Sequence, residues 1–227
     1  MAQTSDQKKL PELPVWLGKI ASHDDLDRIH LCVEKAEVRT SAEIVPMIVR
    51  RSILSGHVAP LVFLFLVLVF WTVAPSIAFL NSGFPGWAIS LGGIGLAGVF
   101  TLLIKDVDFW QRHMTSKKDQ GLSTLHRAQL EFYQSGINAT AHATGVLIFV
   151  SILEKRAVIL VDKAIADSHA VETWDGVVGD LVARVRAGDF AGGMCQAIEK
   201  VADLLEKRFP HREEDHVLLP NVLIVKE

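Results

Sequence analysis

The chain has 227 residues, a formal net charge of −3 and two cysteines. Charged residues make up 22% of it and form no basic cluster, which argues against a nucleic-acid binder, since those present a clustered positive face. Cys32 and Cys195 stand alone, in no CxxC or Cys/His spacing, so neither a zinc site nor a disulfide framework is indicated, and two buried free thiols in a reducing compartment are expected.

Residues 1–21 hold Pro11, Pro14 and the apolar pair Trp16-Leu17 and read as an extended arm without the apolar core of a signal peptide. At Ser22-His23-Asp24-Asp25 a helix start is expected, Ser22 serving as N-cap with acids in the first turn. Leu26, Ile29, Val33 and Ala36 recur at helical spacing to about Val38. Glu43 to Val49, rich in branched residues, reads as a strand. Pro46 cannot donate to a ladder, so an edge position or a bulge is expected there.

Between Ser52 and Ile104 there is no Lys, Arg, Asp or Glu. The stretch divides at Asn81-Ser82-Gly83-Phe84-Pro85-Gly86 into 58–80 and 84–104, each near the 20 residues that a helix needs to span a hydrocarbon layer of about 30 Å. The high mean hydropathy, +0.31, comes from here. Arg50, Arg51, Lys105, Arg112, Lys117 and Lys118 flank the pair and its turn is uncharged. The positive-inside rule then predicts an inner (cell) membrane protein with two spans and both termini cytoplasmic. Small residues at Gly86, Ser90, Gly93 and Ala97 form a stripe on which the first span or a second copy of the chain could pack.

After this stretch, 119–141 reads as a helix weakened at Gly136, and Thr144 to Leu153 as a strand buried on both faces. Glu154-Lys155 reads as a turn and Ala157 to Val161 as an antiparallel strand with Asp162 at its exit. Two amphipathic helices follow, Trp174 to Ala187 and Phe190 to Phe209, separated by Gly188, and then a charged tail ending in VLIVKE. The expected architecture is an α/β (α+β) sandwich, a small central mixed sheet flanked by helices, interrupted by a two-helix transmembrane hairpin. Its parts are an arm (1–21), a first domain part (22–51), the two spans, a second part (115–209) and a tail (210–227).

The motifs carry little chemistry. Gly93-Ile-Gly95-Leu-Ala-Gly98 matches the dinucleotide-binding GxGxxG, but it lies inside the second apolar span and not between a strand and a helix, so it is rejected as a nucleotide site. His211-Arg212-Glu213-Glu214-Asp215-His216 has ligand-type residues for a divalent ion, and equally the composition of a solvated link. Asn138-Ala-Thr140 is a glycosylation sequon that a cytoplasmic location leaves unmodified. No GxSxG, HExxH or P-loop is present.

Thr144–Asp162, Trp174, Ala187-Gly188-Asp189-Phe190, Pro210 and Leu219-Pro220-Asn221, with Glu37, Thr40, Glu43 and Ile44 upstream, resemble in order and spacing the TPM domain family, in its bacterial integral-membrane branch. The resemblance implies a compact domain with a central sheet. It also implies two kinds of function: a thylakoid relative is described as an acid phosphatase, and other relatives as assembly factors at membranes, some of them binding calcium. Glu43 and Asp162 match acidic positions at the family's strand ends and are the candidate ligands for Ca²⁺ or another divalent cation; the other reading makes Glu43 a surface residue and Asp162 a turn residue. The expected function is a membrane-anchored interaction or assembly module at the cytoplasmic membrane face, with a metal-dependent acid phosphatase as the alternative. The expected partners are the lipid bilayer, other membrane proteins and a second copy of the chain; nucleic acid is not among them.

Overall fold

A computed structural model describes residues 13–52, 58–80, 86–104, 116–140, 142–168, 171–211 and 222–226. The chain divides into two compact units, Met1–Arg51 with Thr124–Glu227, and Ser52–Ser123.

The first unit is built on a four-stranded sheet of β1 (Glu43–Val49), β2 (Gly145–Ser151), β3 (Arg156–Val161) and β4 (Ile224–Lys226), in the order β3-β2-β1-β4. β1 runs parallel to β2 and β4, and β3 is antiparallel to β2. Alternation along the strands sorts the side chains onto two faces. Ile44, Ile48, Val146, Ile148 and Val150 enter one core, and Val45, Met47, Val49, Leu147 and Phe149 the other. The first core is covered by α1 (His23–Glu37), α6 (Val171–Arg186) and α7 (Phe190–Leu205). The second is closed by Ala128 and Phe132 of α4 (Lys117–Gln134) and by Ile137 of the 3-10 turn that follows. Both faces of β1 and β2 are therefore dry, as their near-continuous apolar sequences require.

Local chemistry fixes the helix ends. The Ser22 hydroxyl accepts from the Asp25 N–H while the Asp25 carboxylate accepts from the Ser22 N–H, a reciprocal capping box. Gly188, at φ +89°, provides the left-handed residue between α6 and α7 that a side chain would resist. The arm is not extended throughout: Leu17–Lys19 form a 3-10 turn, and Leu17 is fully buried against the first core. β4, hidden in the tail, was not anticipated; it is only three residues long and ends in the charged Lys226.

Pro46 is placed differently from the expected edge or bulge. It sits in regular register opposite Ile148, in a strand with neighbours on both sides. The N–H groups of β1 alternate: Glu43 donates to Thr144 of the β2 side, and Ile44 donates away from it, to Glu37 Oε1. The nitrogen of Pro46 thus faces the β4 side, where pairing begins only at Met47. The missing donor therefore removes no rung of the β1–β2 ladder.

The second unit contains α2 (Val58–Leu80) and α3 (Gly86–Ile104), which pack against each other. The expected transmembrane hairpin, and with it the interrupted-sandwich fold class, the inner-membrane location and the orientation with cytoplasmic termini, is corrected here. Among the described residues, no helix is long and apolar enough to cross a membrane. The turn at 81–85 and the flank 105–115, on which the orientation rested, lie outside the described residues.

Candidate functional site

Because β1 and β2 are parallel and β3 returns, the start of β1, the start of β2 and the end of β3 share one edge of the sheet. Glu43 opens β1 opposite Gly145, and the Asp162 N–H donates to the Gly145 carbonyl at 2.9 Å. The two carboxylate-bearing residues are therefore on the same edge with β2 between them, their backbones about 10 Å apart at the usual strand spacing. Glu37 joins them, its Oε1 accepting the Ile44 N–H at 3.2 Å. Asp162 also caps the short helix α5 (Lys163–Ala166), Oδ1 accepting from the Lys163 N–H at 2.7 Å. Its Oδ2 is buried and accepts no hydrogen bond from the described residues. No group of three or more His, Cys, Asp or Glu among the described residues is arranged to hold a metal ion. Of the histidine-flanked tail cluster, residues 212–216 lie outside the described residues.

The opposite edge carries a charge cluster that sequence reading missed. Glu131 of α4, only 2% exposed, takes Arg127 Nε at 2.9 Å and also Lys226 Nζ of β4. Nearby in sequence to the end of β2, the Ser151 hydroxyl donates to Glu154, which is itself buried. The tight turn expected at Glu154-Lys155 is present, with Lys155 at φ +50°, but Glu154 points inward. A sequence signal existed only for the helix: Thr124, Arg127 and Glu131 recur at helical spacing on a side that also carries buried Ala128, whereas the Lys226 partner is 95 residues away.

The third feature is a groove of about 380 Å³ between α1 and α7, lined by Cys32, Lys35, Ala36, Arg39, Cys195 and Glu199. Across it the two cysteines form a disulfide, with their Cα atoms 5.6 Å apart. The expectation of free thiols is thus corrected. Cys32 and Cys195 lie on facing sides of packed helices, a juxtaposition that a sequence separation of 163 conceals. Arg39 is drawn to Asp203 at 2.5 Å and to Glu206 at 2.6 Å. The Asp203 hydrogen bond, and then that of Glu206, raise its pKa further above its ordinary value. Arg184 is likewise paired with Asp189 at 2.8 Å.

In the second unit, the small-residue stripe of α3 is already occupied. A Cβ on Gly93 would lie 2.3 Å from the Phe70 ring, so glycine lets α2 and α3 approach at that point. An apolar cavity of about 340 Å³ beside it is lined by Leu66, Phe70, Leu96, Ala97, Val99 and Phe100. Outward, α2 exposes Leu61, Leu64, Phe65, Leu68 and Trp71, and α3 exposes Trp87, Leu91, Val99 and Leu102.

The first unit belongs to the mixed α+β class: a sheet with one antiparallel member, helices on both faces, and polar groups gathered at the strand ends. No family model matches the chain, and no curated protein does. The NMR structure of BA42 protein from the psychrophilic bacterium Bizionia argentinensis sp. nov. aligns with it at a TM-score of 0.57, with 19% sequence identity, over 96% of this chain and 99% of that one. At that identity the likeness shows the fold alone.

Proposed function

We propose that the chain is an interaction or assembly module, in which the α2–α3 pair presents an apolar surface to helices of a partner protein. One observation carries this reading. Leu61, Leu64, Phe65, Leu68 and Trp71 follow the i, i+3, i+4, i+7 spacing along α2, and Phe65 and Trp71 are 65% and 67% exposed. A contiguous apolar stripe of this extent marks an interaction surface, and its spacing suits a second helix. The charges of the first unit support it from the other side. Arg39, Arg127 and Arg184 are each held by a carboxylate, whereas phosphoryl transfer asks for cations aimed at the transferred group. The resemblance to TPM domains, some of which work as assembly factors, points the same way. The test compares the tagged full chain with its Leu64→Asp/Leu68→Asp variant, each purified from its own cells and sized by light scattering. The unaltered chain is expected in a defined complex, and the variant at the 25.0 kDa of the free chain. A complex unaffected by the variant overturns the reading.

A metal-dependent phosphatase is the second reading, and it rests on the buried Asp162 Oδ2, at the same end of the sheet as Glu43. Hydrolysis of a phosphomonoester that requires Ca²⁺ or Mg²⁺ and is abolished by Asp162→Asn would support it. No hydrolysis with either ion removes it.

A further inference from the structure

The disulfide between α1 and α7 is open to solvent on one side. Cys195 is 9% exposed, and Cys32 is half-buried at the wall of the 380 Å³ groove. Cys32, Lys35, Ala36 and Arg39 form one stripe of α1 and its continuation, so two cations follow the reactive sulfur along the same wall. Glu199, one turn beyond Cys195, is the acidic member of the lining. Arg39 shares its charge with Asp203 and Glu206, which leaves Lys35 as the cation nearest in sequence to Cys32. Disulfide exchange depends on access to a sulfur, and a positive group beside that sulfur favours an anionic attacker.

We propose that the Cys32–Cys195 disulfide is an exchange site for a small anionic thiol that enters the α1–α7 groove and forms a mixed disulfide at Cys32. The thiolate adds to Cys32 Sγ, the protein S–S bond breaks, and its electron pair leaves on Cys195 Sγ, which takes a proton from water. A second thiolate attacks the small-molecule sulfur of the mixed disulfide and releases Cys32 as a thiolate. Two small thiols are oxidised to one disulfide, and the protein disulfide is reduced by two electrons. The covalent link between α1 and α7 is then gone, but the Arg39 pairs with Asp203 and Glu206 still join the ends of the same two helices, so the reduced chain stays folded with less margin.

The test uses the oxidised full chain under native conditions, with glutathione as the anionic thiol and cysteamine as a cationic one. Glutathione is expected to exchange faster than the chain unfolds, with its adduct at Cys32 by peptide mass spectrometry. In Lys35→Glu the ratio of the glutathione rate to the cysteamine rate should fall roughly 5-fold, as expected for reversing one nearby charge in a largely aqueous groove. The reduced chain should keep its circular-dichroism spectrum and melt roughly 5 to 15 °C lower. Any of four results overturns the proposal: cysteines that alkylate freely in the air-purified chain, reduction that proceeds only as fast as unfolding, an adduct at Cys195, or a rate ratio unchanged by Lys35→Glu.

Discussion

β2 and the middle of α2 are made of the same kinds of residue, yet they meet opposite surroundings. All seven residues of β2, GVLIFVS, are buried, because the strand's two faces are each covered by helices. In α2 the same Leu, Val and Phe content leaves Leu64, Phe65, Leu68 and Trp71 more than half exposed, because only one side of the helix is packed on α3. Apolar composition therefore does not decide burial; the number of covered faces does. In the first unit hydrophobicity makes a core, and in the second it makes a surface.

The sharpest way to break this contrast is to delete equal apolar volume from each region. Phe149→Ala, in the fully buried strand, is expected to lower the unfolding free energy of the first unit by about 3–5 kcal/mol. Phe65→Ala should change it by under about 0.5 kcal/mol. Urea denaturation followed by far-ultraviolet circular dichroism measures both, and comparable losses would abolish the distinction. Next in size is Glu131→Ala. It leaves Arg127 and Lys226 facing each other without the buried carboxylate, and because both cations are partly exposed the loss should be nearer about 2 kcal/mol than the full cost of a buried pair. Glu131→Gln should recover part of that loss in the same denaturation assay, by retaining hydrogen bonds.

Gly93→Ala sharpens the contrast from the other unit. Its new Cβ meets the Phe70 ring, so an overpacking cost of about 1–3 kcal/mol is expected in the helix pair. Phe70→Leu in the same chain should relieve it, read as recovered thermal stability. The smallest effect is at the cap of α1. The Asp25 pKa is lowered, first by the backbone N–H of Ser22 and then by its hydroxyl. A depressed carboxylate contributes stability above its unfolded-state pKa and loses it as pH falls through the lower folded value. Asp25→Asn should therefore cost about 1 kcal/mol near neutral pH and progressively less in acid, which thermal melts across that range would show.

Elements with a strong local signature were legible in the sequence. Ser22 and Asp25 announced the start of α1, the branched run at 43–49 is β1, and the all-apolar run near 145–151 is β2. Features made by contact between distant segments were not. The strand Ile224–Lys226 exists because the β4 edge of β1 was open beside Met47, the disulfide because Cys32 and Cys195 face one another across α1 and α7, and the Glu131 cluster because β4 delivers Lys226. Glu43 and Asp162 were picked as strand-end acids, and the return of β3 places both at one edge of the sheet, a relation their separate positions in sequence do not contain. For 52–104 the apolar letters were read as length enough to cross a membrane, whereas the letters themselves say only that water is a poor neighbour for that surface.

The central claim is that the outward stripe of α2 is covered by a partner protein. A photo-crosslinking residue placed at Phe65 in the full chain, in its own cells, tests it directly, with the same residue at Asp203 of the first unit as control. A discrete polypeptide adduct is predicted at position 65, lost when Leu61 and Leu68 are changed to Ser, and absent from position 203. Adducts at both positions alike, or at position 65 none to polypeptide and only to lipid, would contradict the account.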